Sequence, residues 1–285
     1  MRAIRPPFVP FSRLYIYILY DFECYVQPEH IHRFDRDLFL NAHQDNEWDV
    51  LVFSQNWPVS MCRVWSHHHI HKCINFNETW HVHGLWPTKY GTVGPEKCND
   101  TWLFDPDKIK SIEEELEINW PNLQSDSSLY SFWIHEWTKH GTCAASIEPL
   151  NSELKYFSQG LEWHKKIPLI HILRDAGIVP SDETEYKILD LYYAVKNKTN
   201  VNPTIQCIYD KGTQVLSELR VCFSKSLELV DCDGIASPHH VIDGVNVMTN
   251  CNPALDVMYP NSVNPPAMVL VQLYKLSSLL QWLTL

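Results

Sequence analysis

The chain has no excess of positive charge: 23 Lys and Arg stand against 34 Asp and Glu in 285 residues, a formal net charge of −11. That balance excludes a protein that holds nucleic acid through a general basic surface at neutral pH. No segment repeats, so one main domain with terminal extensions is expected. None of the nine Cys forms a paired Cys-x-x-Cys, the usual zinc signature. A long uninterrupted apolar run is also missing. Val269, Leu273, Leu276, Leu280 and Leu283 mark one face of an amphipathic tail helix within residues 261–285, but Lys275 and two Gln interrupt it, so no stable membrane span is expected. The tail lacks the polar spacer of a lipid-anchor signal. At the other end, Ala is absent between Ala3 and Ala42, and no small-residue cleavage site follows the short apolar run from Leu14 to Tyr20. Residues 1–45 therefore read as an atypical leader or extension.

What the chain does hold is aromatic and histidine-rich. Eleven Trp, thirteen Tyr and eleven Phe supply ample core material, and adding fifteen protonated His to −11 would bring the charge to +4. Carboxylates titrate near pH ~4, so the sign of the protein can reverse between neutral and mildly acidic compartments. Eight of the cysteines fall inside the expected domain at 46–260, and Cys24 is left over. Beside them stand three glycosylation sequons, at Asn77, Asn99 and Asn197. Even cysteines plus sequons favour an oxidised chain that passes through the secretory pathway, to be secreted or endolysosomal. The cysteine pairing itself is open at this point.

Two segments concentrate the chemistry. Residues 132–143, Phe-Trp-Ile-His-Glu-Trp-Thr-Lys-His-Gly-Thr-Cys, put His135, Glu136, Lys139 and His140 into six positions beside Trp133 and Trp137. As a helix, Glu136 and His140 stand one turn apart, as do His135 and Lys139, and the two Trp make an anchoring stripe. Gly141 suits the position that ends such a helix, with Ser128 or Ser131 as its cap. The bland alternative is a solvated helix face, for which a Glu and Lys pair at i, i+3 is ordinary. The second segment is Trp80-His-Val-His-Gly-Leu-Trp-Pro87, a strand whose period of two puts His81 and His83 on one side before Pro87 ends it.

Together these segments resemble the two active-site motifs of the ribonuclease T2 family, HGLWP and HEWxKHG, and with the cysteines the resemblance covers roughly residues 48–260. It implies a metal-independent endoribonuclease that needs no cofactor and acts as a monomer on single-stranded RNA. The 2′-hydroxyl of RNA is the nucleophile, so the reaction needs a base, an acid and support for a phosphorane. The resemblance assigns His140 as base, His83 as acid, Lys139 to transition-state charge, Glu136 to orienting the site and His135 to phosphate binding. It also implies four disulfides: Cys62 with Cys73, Cys98 with Cys143, Cys207 with Cys251, and Cys222 with Cys232.

The remaining pattern reads as α+β with a central antiparallel sheet. A buried strand is expected from Trp48 to Pro58, and a loop over Ser66 to His71. Helices are expected over Asp107–Trp120 (acidic 113–115 outward), over Glu153–Ala176 with a break at Pro168, and over Glu183–Lys196. Strands are expected over Thr204–Tyr209, Glu218–Ser224, Glu228–Asp231 and Val241–Met248. Two rival functions stay open: a metalloprotein using His67, His68, His69, His71, His81 and His83, and a secreted signalling or cytotoxic glycoprotein on a nuclease fold.

Overall fold

Seven consecutive buried residues, Val50–Asn56, form strand β1, as the apolar run after Trp48 predicts. The computed structural model describes residues 47–264, Val93 and Ser237 excepted. The expected leader with Cys24 and the tail helix from Val269 lie outside the described residues.

Pro58 opens helix α1 (Pro58–His68), a position where the missing N–H leaves nothing unsatisfied. The histidine stretch expected as a loop is thus partly helical, closing at His69 with φ 53°. Met61, Val64 and Trp65 are buried at helical spacing, and their anchorage carries the helix on into the polar histidines. Strand β2 (His81–Thr88) returns antiparallel to β1. Ser54 lies opposite Gly84 while Gln55 lies opposite Val82, so His83 is the extra residue of a β-bulge.

The expected helix over 107–120 is a 3₁₀ turn (Pro106–Ile109) followed by α2 (Glu113–Asn119). Ile109, Leu116 and Trp120 point inward as expected. Glu113 does not face solvent: it is buried because Lys110 Nζ at 2.7 Å and the Tyr130 hydroxyl at 3.1 Å both donate to it. Next come α3 (Ser131–Glu136), a π-helical turn (Trp137–Gly141) and α4 (Thr142–Ala144), one continuous helical segment. Helices α5 (Glu153–Lys166) and α6 (Leu169–Asp175) are separated at Pro168. The segment expected as helix from Glu183 starts instead as strand β3 (Glu185–Tyr186), and α7 begins at Ile188 and runs to Thr199.

The strands that follow are β4 (Thr204–Asp210), β5 (Thr213–Phe223), β6 (Leu229–Val230), β7 (His239–Ile242), β8 (Val245–Thr249) and β9 (Val257–Met258). The single strand expected over Val241–Met248 is a hairpin, because Asp243 and Gly244 turn it with φ 48° and 81°. The main path of the sheet runs β2-β1-β5-β4-β8-β7, and β3, β6 and β9 join it at the side. Most pairs are antiparallel, but β4 with β8 and β5 with β9 are parallel, so the α+β sheet is mixed. All four expected disulfides are formed.

Candidate active site

Aromatic donors hold the first motif in place. The indole of Trp120 donates to His83 O at 2.9 Å, and the hydroxyl of Tyr156, on α5, donates to Leu85 O at 2.8 Å. The bulge frees His83 from regular pairing, and its Nδ1 meets Glu218 Oε1 at 2.7 Å. Glu218 is itself fixed by Ser54 Oγ at 2.9 Å and by Arg220 Nε at 2.8 Å. Arg220 lies over the Trp86 ring, 4.8 Å from its centroid. The Trp86 indole in turn donates to Glu136 Oε2 at 3.1 Å and so joins the two motifs. Gly84 makes that junction possible: a Cβ there would collide with both Glu136 Oε2 and Trp86 Nε1.

The second motif is anchored by Trp133 and Trp137, both fully buried, as their one-turn spacing predicts. Its helix does not end at Gly141. That residue has φ −60° and ψ −39°, and the chain continues into α4. Thr142 N–H bonds to Trp137 O, five residues back, so one extra residue is accommodated in the turn. Gly141 is needed for closeness, since a Cβ would strike the Trp137 ring. Neither Ser128 nor Ser131 caps the helix, whose N-cap position is Tyr130. The wide turn brings the His135 and His140 rings to 6.3 Å, although they are five positions apart. Trp86 packs on His140 with ring centroids 5.7 Å apart. Lys139 Nζ lies 3.3 Å from Glu96 Oε1.

The electrostatics of the two histidines are opposed. Burial pulls His83 down, but the charge and hydrogen bond of Glu218, with the charge of Glu136, outweigh it and raise its pKa above the ordinary value. His140 is driven well below the ordinary value by burial first, then by Lys139, His135 and His83. Its position near a helix end would favour the proton, yet burial dominates and the helix runs on past it. Glu136 is pushed up to about 7 by burial, against the pull of His83, the Trp86 indole and Lys139. Glu218 has burial against it, but Arg220 and His83 hold its carboxyl well below the usual range.

His83, Glu136, Lys139 and His140 are therefore brought together, with His135 exposed at their edge. The histidines of the metal reading are dispersed. His67 is bound to the buried Asp210 at 2.7 Å, His71 lies 3.7 Å from Asp126, and His68 and His69 face solvent. His81 is buried with both ring nitrogens unpartnered, and burial, then His164, lowers its pKa to about 4. The bulge between His81 and His83 gives the two rings different surroundings: His81 meets Phe76, whereas His83 meets Trp86 and Phe132. Among the described residues, ligand atoms of His135, Glu136 and His140 lie within 4.8 Å of one another, so a cation could compete for this place. Glu218 and Arg220 were missed by sequence reasoning. Their signal was a Glu and an Arg two positions apart inside an apolar strand. Asn77, Asn99 and Asn197 are all exposed.

The model of the ribonuclease T2 family matches residues 48–232. Ribonuclease Oy of Magallana gigas is 39% identical over 194 residues, 66% of this chain and 88% of the relative. The crystal structure of human RNase T2 superposes with a TM-score of 0.61 at 31% identity, covering 75% of this chain and 98% of the other. RNase NT, solved in complex with 5′-AMP, gives 0.63 at 28% identity, covering 75% and 98%.

Proposed function

The chain belongs to the ribonuclease T2 family and is a T2-type endoribonuclease, and we propose that it cleaves single-stranded RNA without metal, by transphosphorylation to a 2′,3′-cyclic phosphate and then hydrolysis to a 3′-phosphate. The observation that carries this reading is the opposed pair of histidines. A base must be neutral and an acid protonated at the same pH, and environments that push two titratable groups apart assign those roles. His140, kept neutral by burial, takes the 2′-proton. His83, kept charged by Glu218 on Nδ1, gives a proton to the departing 5′-oxygen through its other nitrogen.

Lys139 faces the negative charge that grows on the phosphorane oxygens, and His135 holds the phosphate from the rim. With its carboxyl pushed up to about 7, Glu136 is largely neutral in mild acid and serves as a hydrogen-bond donor rather than a repelling charge. In the hydrolysis step the two histidines exchange roles. The 5′-AMP bound to RNase NT supports a nucleotide-sized cleft in this fold. Four disulfides and three exposed sequons support passage through the secretory pathway to a secreted or endolysosomal location. Among the described residues no helix is long and apolar enough to cross a membrane. The protein acts as a monomer in this reading, and the intact catalytic set argues against a purely signalling glycoprotein.

The test is incubation of the disulfide-intact protein with RNA in chelator, followed by analysis of product ends. Terminal 2′,3′-cyclic or 3′-phosphates are expected. Terminal 5′-phosphates, or activity abolished by the chelator, would refute the chemistry.

A further inference from the structure

The backbone of Lys97 is fixed beside the catalytic helix. Its N–H donates to Lys139 O at 2.9 Å, its φ is 52°, and the next residue, Cys98, is bonded to Cys143. Between this turn and the outward helix face opens a cleft of about 290 Å³, lined by Lys97, Ser131, Ile134, His135, Thr138 and Lys139. That size is near the lower end of the ~300–1,000 Å³ typical of ligand clefts. Ser131, His135 and Thr138 recur at i, i+4 and i+7, so one helix face presents them together.

The cleft borders the catalytic segment through His135. His135 lines it, and the ring of His135 is 6.3 Å from that of His140. Its lining carries Lys97, Lys139 and His135 and no carboxylate, although Glu96 stands beside Lys139 at 3.3 Å. In a chain of net charge −11, a cationic lining at this spot is not the overflow of a basic surface. A polyanion entering the active site would find a favourable flank here.

We propose that this cleft is a second phosphate subsite, in which Lys97 holds a phosphodiester of the RNA chain adjoining the one that is cleaved, with His135 at the boundary between the two. The proposal rests on the ribonuclease reading above and adds a consequence for substrate length. A dinucleoside monophosphate has only the scissile phosphate and leaves the cleft empty, whereas a hexanucleotide fills it.

The experiment compares wild type, Lys97→Gln and Lys97→Arg on a dinucleoside monophosphate and on a hexanucleotide, after mass analysis of the disulfides and a thermal melt confirm the fold. Lys97→Gln is expected to lose several-fold more kcat/KM on the hexanucleotide than on the dinucleoside, chiefly through KM, and Lys97→Arg to recover most of it. In the inactive His140→Phe background, Lys97→Gln should weaken hexanucleotide binding and make its log-log salt dependence shallower by about 0.7, the share of one phosphate contact on a single strand. Equal losses on both substrates, or none, overturn the proposal. So does an effect confined to inhibition by inorganic phosphate, which would make the cleft a free-anion site. Failure of wild type to form cyclic phosphate from the dinucleoside would instead sink the ribonuclease chemistry, and the binding arm reads Lys97 independently of it.

Discussion

His83 and Glu218, 135 residues apart in sequence, are joined by a hydrogen bond of 2.7 Å between Nδ1 and Oε1. The bond fixes the ring and raises the pKa of the acid, and Arg220 keeps Glu218 ionised to do so. The rate should therefore follow a bell whose acidic limb belongs to His140, lowered, and whose basic limb belongs to His83, raised. Glu218→Gln should move the basic limb toward acid and cost more activity at pH 7.5 than at pH 5. A pH profile of kcat/KM with an unmoved basic limb would remove Glu218 from the mechanism. The same raised pKa means that the His83 contribution to stability is fully present below its unfolded value, ~6.5, and is lost as pH rises through the folded one, while the lowered pKa of Glu218 sets the acid limit of the pair.

Replacement of His83 or His140 by Phe should cut turnover by about 10²- to 10⁴-fold while the disulfide-bonded fold survives. His81→Phe should retain most activity, because His81 is buried in a separate environment. Steady-state rates on one RNA substrate decide this; inactivity of His81→Phe with normal turnover of His83→Phe would reverse the assignment.

Glu136→Gln should be mild, under tenfold, since an amide keeps a donor and the loss of one hydrogen bond is worth about 1 kcal/mol. Its pH dependence is the more telling readout. Glutamine mimics the neutral carboxyl, so the deficit should be smallest below pH 7, where Glu136 is protonated. A variant equally impaired at all pH values would argue for an ionised Glu136.

Opening the Cys98–Cys143 bond by a double substitution to Ala should cost about 2–5 kcal/mol of stability and lower activity with it. The bond ties the turn at Lys97 to the end of the catalytic helix. Denaturant unfolding of the double variant measures the loss.

Arg63 makes a different kind of prediction. It is buried between Asp182 at 2.7 Å and Asp210 at 2.9 Å, so Arg63→Met should destabilise the fold by roughly 3–5 kcal/mol, leaving the buried Asp210 with His67 alone and Asp182 with the Ser262 hydroxyl. The midpoint of urea unfolding should fall, while activity per folded molecule stays near that of the parent.

What the sequence revealed was chemistry carried by contiguous residues: the strand around His83, the helix with its Trp133 and Trp137 anchor, and the change to short strands after Thr204. Contacts made only by pairing were hidden. Glu218 reaches His83 because β5 lies beside β1, itself beside β2, a relation no local pattern encodes. The histidine stretch misled because its polar surface masked the buried spacing of Met61, Val64 and Trp65. The hairpin at Asp243 and Gly244 is legible, since that dipeptide is a strong turn signal, but the alternation on both sides of it favours one strand.

The widened turn at Trp137–Gly141 bears on how this enzyme can vary through descent. Loss of a single codon between Glu136 and Gly141 would close the turn to ordinary helical spacing: the chain after Gly141 would keep its register, and the side chains inside the turn would be re-aimed, by up to about 100° per position. His140 would lose its setting against Trp86 and His135, while Cys143 would keep its place beside Cys98. The segment is thus a unit of fixed length, inherited whole, and transplanting its residues onto an ideal helix of a designed scaffold would reproduce the letters of the site without its geometry.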